Sequence, residues 1–139
     1  MATQSETQLS HGIRWWRVIG GGLLIELVLA AVSVPFFATG RPEMVSLLIA
    51  PATLVAAVPC GAWAARGTAQ PILNGMLAGV AALALYLGLV IGATLAAPEQ
   101  ADLTAALSLP YLASHAFKVL GAAAGGWWIA RRRAQNAGS

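Results

Sequence analysis

The chain is poor in charge: 9% of its 139 residues are Asp, Glu, Lys or Arg, where soluble domains carry about 25%. It has a single cysteine, Cys60. That excludes an internal disulfide, and its place inside an apolar run marks it as a small, inert hydrophobe. Asp102 is the only aspartate, and His11 and His115 are the only histidines. No Cys–His grouping with metal-ligand spacing exists, so no metal is expected. A serine triad would have to combine Asp102 and His115 with Ser108 or Ser114, and no nucleophile motif surrounds either serine. The "GGG" at 20–22 opens an apolar helix with no strand before it, so it is no phosphate loop. The net charge of +3 does not point to nucleic acid, because basic and aromatic residues do not interleave as they would in a binding groove. No enzymatic activity and no cofactor are expected.

What is abundant is apolar side chain, 58% of the residues, more than a chain of this length can bury in water. It falls into four blocks, each long enough for the roughly 20 helical residues that cross a bilayer core. The expected architecture is all-α, with transmembrane helices at about 18–38, 44–65, 72–96 and 108–130. Residues 18–130 then form one transmembrane domain between tails at 1–17 and 131–139, both expected to lack fixed structure. Pro42, Gly67, Pro71 and Pro98 punctuate the blocks, and Pro110 suits a first helical turn. Pro51 and Pro59 are expected to kink the second helix unless neighbouring groups re-satisfy the freed carbonyls. The first run, with Arg14 and Arg17 before it, has the flank of a signal peptide. Its length, its Glu26 and the ending "SVPFFATG" argue for a retained helix.

Direction follows from the arginines. Arg14, Arg17, Arg66, Arg131, Arg132 and Arg133 fall on one side of this arrangement and only Arg41 on the other. The positive-inside rule then puts both termini in the cytoplasm. Trp15, Trp16, Trp63, Trp127 and Trp128 all lie at helix ends on the same side, as interface anchors do, with Arg131, Arg132 and Arg133 beside them. Those three arginines suit a topology anchor better than a dedicated anionic-lipid site. "GAWAAR" at 61–66 and "GWWIAR" at 126–131 echo each other, as two parallel helical hairpin repeats would. The alternative is that such residues recur at cytoplasmic helix ends for general reasons.

In lipid, helices associate mainly through small residues that let backbones approach. Gly75 with Gly79, Gly88 with Gly92, and Gly121 with Gly125 have the required spacing, as does Ala57 with Gly61 and Ala65. They are candidate packing positions within the chain, in a homo-oligomer, or against other membrane helices.

Two charges interrupt the apolar blocks. Glu26 lies roughly 12 Å inside the first helix and Lys118 roughly 18 Å inside the fourth, at 1.5 Å per residue. The difference is within the reach of a lysine stem. His115 shares the Lys118 face, with Tyr111, Ala122 and Gly125; Glu26 shares its face with Gly22, Ala30 and Ser33. Each charge costs about 2.5 to 3.5 kcal/mol at a helix centre on insertion scales, which pairing would offset. Three roles compete for Glu26, His115 and Lys118: fixing the helix arrangement, forming a proton- or ion-linked carrier site, or binding a partner helix. "GGGLLIEL" resembles the first helix of small multidrug carriers, but the likeness stops there and no function is carried over.

"CGAWAARGTAQPILNGMLAGVAALALYL" resembles the central hairpin of a loosely defined group of small bacterial four-helix membrane proteins of unknown function. The matching residues are Gly61, Arg66, Gly75 and Gly79, and "GAAAGGWW" resembles the group's last helix. The resemblance implies a four-helix protein of the bacterial inner membrane and supplies no activity. The function expected is structural, in assembly or in partner binding; a small proton- or ion-linked carrier using Glu26 is the alternative.

Overall fold

A computed structural model describes residues 12–98 and 108–138. The stretches 1–11 and 99–107 and residue 139, which contain His11 and Asp102 and parts of both expected tails, lie outside the described residues. The described chain is four α-helices: α1 (Trp15–Ala38), α2 (Pro42–Ala65), α3 (Pro71–Ala96) and α4 (Leu109–Ala137). No helix start carries a side-chain cap. Proline opens α2, α3 and α4 instead, where its missing N–H needs no partner and its fixed φ suits the first turn.

α1, α2 and α3 are each long and apolar enough to cross a bilayer, and they identify a membrane protein. α4 is less apolar, because Ser114, His115 and Lys118 lie in its first half and Arg131, Arg132 and Arg133 in its last turns. The expected C-terminal tail needs correction: α4 continues to Ala137, past the arginines. "RRRAQNA" holds no helix breaker before Gly138, and Arg133 reaches back to donate to the carbonyls of Thr68 and Ala65. α2 stays helical through Pro51 and Pro59.

Four helix pairs form the sides of the bundle: α1 with α2, α1 with α3, α2 with α4, and α3 with α4. α2 and α3 also touch across its middle, while α1 and α4 pack closely on α2 and α3 rather than on each other. The two hairpins are therefore not packed equivalently.

The end of the bundle that holds Trp15, Ala65 and Trp127 is the tight one. Buried positions in α3 run from Asn74 to Ala82 and stop, although the helix goes on to Ala96. In α1 they run from Val18 to Leu29. The reason is residue size. A Cβ added at Gly61 would collide with the Ala122 backbone, and one at Gly125 with the backbone of Val58 and Ala62. Ala57, Ala65, Ala78 and Ala82 fill the remaining space with no exposure at all. Backbones in van der Waals contact maximise dispersion where hydrophobic burial contributes little.

The α2–α3 turn closes this end. Gly67 takes a left-handed φ of +70°, which a side chain would strain. Arg17 donates to the Arg66 carbonyl from one side and Arg133 to that of Thr68 from the other. Buried Asn74 accepts from the Arg14 backbone N–H at 3.0 Å and donates to the Gln70 carbonyl at 3.0 Å. Trp16 and Trp63 meet edge to face at 5.6 Å. Arg17 lies over both rings, Arg131 over Trp127 and Arg132 over Trp128. At this end basic and aromatic groups form one belt.

Candidate functional site: an ion pair beneath a cavity

Glu26 is carried by the middle of α1 and Lys118 by the middle of α4. The Lys118 ammonium lies 2.6 Å from Glu26 Oε1, with 2% of the lysine and 13% of the glutamate side chain exposed. Among the described residues, Lys118 is the largest fully buried side chain. It can reach Glu26 because Gly79 of α3 lies against the Lys118 backbone, where a Cβ would clash. The contact is a charge pair more than a well-aligned hydrogen bond, since Oε1 has no partner of good hydrogen-bond geometry. The Lys118 ammonium also lies 4.6 Å from the centre of the Tyr86 ring, so a π face completes its surroundings.

Above the pair, toward the Ala38 end, the helices part. They leave a cavity of about 240 Å³ whose walls include Glu26, Ser33, Tyr86, Tyr111, His115 and Lys118. Leu29, Ala30, Phe37, Ile49, Leu89 and Ser114 complete it. The His115 and Tyr86 rings are 4.5 Å apart between centroids. Buried His115 Nδ1 has no hydrogen-bond partner. Beside the floor, Thr53 and Ser114 share a buried hydrogen bond of 2.7 Å, and the Thr53 hydroxyl is also 2.6 Å from the Ile49 carbonyl.

The sequence-derived residues thus separate into groups. Glu26, His115 and Lys118 come together, with Tyr111, Ala30 and Ser33 on the same cavity wall. Gly22, Ala122 and Gly125 lie instead in the tight half. Gly61, Gly75, Gly79, Gly121 and Gly125 all stand against a neighbouring helix. Gly88 and Gly92 do not: a Cβ at either would meet nothing within 4 Å. Gly88 instead lines a shallow apolar groove with Ile19, Ala81, Ala84, Leu85 and Leu89. Cys60 is half-buried against the core. Among the described residues, no three His, Cys, Asp or Glu side chains gather as a metal site would require.

Sequence reasoning missed Thr53, Tyr86 and Asn74. For Thr53 and Asn74 a signal existed: each is a polar side chain inside an apolar helix, which must find a partner within the bundle. Tyr86 sat in an apolar run with nothing to separate it from an interface aromatic.

No protein-family model, curated protein or solved structure matches this chain. The ion pair, the cavity and the uncovered glycines are the ground for any functional reading.

Proposed function

We propose that the chain is a small, non-catalytic assembly protein of the bacterial inner membrane. In this reading α4 is a fourth span and both termini face the cytoplasm. The arginine and tryptophan belt at one end supports that direction, since basic residues concentrate on the cytoplasmic side. The Glu26–Lys118 pair has a fixed role: it joins α1 to α4, which otherwise pack closely only on α2 and α3.

The observation that carries the assembly role is the bare Gly88–Gly92 pair. The same spacing in Gly75–Gly79 is filled by α4. On α3 beyond Ala82 it lies on a helix that buries nothing further. A small-x-x-x-small stripe is complementary to itself, so a second copy of the chain fits it, helix on helix about a two-fold axis. The test is disulfide trapping in native membranes with Gly88→Cys in a Cys60→Ser background, compared with Leu95→Cys. Assembly through this face gives a covalent dimer from Gly88→Cys that Gly92→Leu abolishes. Equal trapping at the two sites, or none at Gly88, contradicts it.

A second reading has its own support. Glu26 is not fully sealed, and it lines the cavity. A small carrier would let a proton or ion reach Glu26 and release Lys118. In proteoliposomes with an imposed proton gradient, such a carrier shows flux that Glu26→Gln removes. The assembly reading predicts no flux above that of empty vesicles.

A further inference from the structure

The cavity holds chemistry that helix packing does not use. Its 240 Å³ exceeds the roughly 150 Å³ of an apolar protein cavity that accommodates benzene. Its floor is a carboxylate against an ammonium, so the formal charges there cancel. Its walls also carry polar residues: His115 with Ser33, Tyr86 and Tyr111. The rim is apolar: Phe37 and Leu89 line the cavity yet are 57% and 68% exposed.

We propose that this cavity is a binding site for a small neutral amphiphile: a phenol or alcohol with a compact apolar body of about 9 to 12 non-hydrogen atoms, entering from the bilayer. Charge selects for neutrality. A cationic ligand would be pressed against the Lys118 ammonium, an anionic one against the Glu26 carboxylate, and neither finds a free counter-charge. A hydroxyl both donates and accepts, so it suits a wall that carries the hydroxyl residues Ser33, Tyr86 and Tyr111, whichever partner donates. The body of the ligand rests on Leu29, Ile49 and Leu89, and the exposed Phe37 and Leu89 give it an apolar entrance. Water would fill the same space less well: each molecule occupies only about 30 Å³, and the apolar wall would leave several of them short of partners. The inference rests on cavity geometry alone and stands whether or not a second copy docks on α3.

The test uses the full chain in lipid nanodiscs with ¹⁵N-labelled histidine, His11 serving as internal control, and 1-naphthol as the probe. A saturable change in the His115 imidazole resonances is expected, with no saturable change at His11. Naphthalene, which lacks the hydroxyl, should bind at least about tenfold more weakly. 1-Naphthoate and 1-naphthylmethylammonium should bind at least about tenfold more weakly. Ser33→Phe and Ala30→Leu each fill the cavity and should abolish saturation; if one variant fails to fold, the other decides. A response that rises linearly with added naphthol at both histidines is partition into the bilayer and overturns the proposal. A response that survives cavity filling, or is matched by either charged probe, overturns it as well.

Discussion

The two halves of this bundle are built from the same helices and differ in how close those helices come. Toward the arginine end, glycine and alanine let backbones touch, and the turn between α2 and α3 is held from both sides by Arg17 and Arg133. Toward the other end the side chains are larger, the helices part, and a cavity opens between Phe37, Tyr86 and Tyr111. Glu26 and Lys118 stand at the border. The difference teaches that a small membrane protein can keep one half rigid and leave the other available. With little hydrophobic force between helices in lipid, residue size decides where they close.

If that contrast is right, perturbations should be expensive at the tight end and cheap at the open one. The largest loss is expected for Gly61→Val, whose branched side chain would meet the Ala122 backbone. About 3 kcal/mol should disappear from the unfolding free energy measured by SDS titration in mixed micelles. Lys118→Met comes next. It leaves Glu26 buried without its cation, and a loss of about 2 kcal/mol is expected, between the figures for buried pairs in soluble proteins and for polar contacts in membranes. Thr53→Val, which removes the buried bond to Ser114, should cost about 1 kcal/mol in the same titration. Gly88→Val has only open space to fill, so monomer stability should stay within about 0.5 kcal/mol. A loss at Gly88 as large as at Gly61 would erase the distinction between the halves.

Much of the fold was legible because its signal is one-dimensional. Apolar runs of membrane length, ended by glycine and proline, give four helices whether or not their packing is known. Glu26 and Lys118 were legible for a similar reason: depth along a helix follows from residue count, and a lysine stem spans the difference. What needed three dimensions was less accessible. Gly75–Gly79 and Gly88–Gly92 have the same spacing, yet only the first pair is covered, because spacing defines a stripe and not what lies opposite it. The cavity was hidden too, since its volume depends on four helices diverging together. The end of α4 was misjudged for a physical reason: three arginines read as a solvated tail, but a basic run without a breaker propagates a helix as well as an apolar one.

The central claim is that Glu26 and Lys118 act as one unit joining α1 to α4 at the border between the halves. A double-mutant cycle with Glu26→Gln, Lys118→Met and the double variant, read by SDS unfolding in micelles, tests it most directly. A unit predicts that the double variant is no less stable than Lys118→Met alone, with a coupling energy of about 1 to 2 kcal/mol. Additive losses, with a coupling below about 0.5 kcal/mol, would mean that the two charges stand independently and would contradict the account.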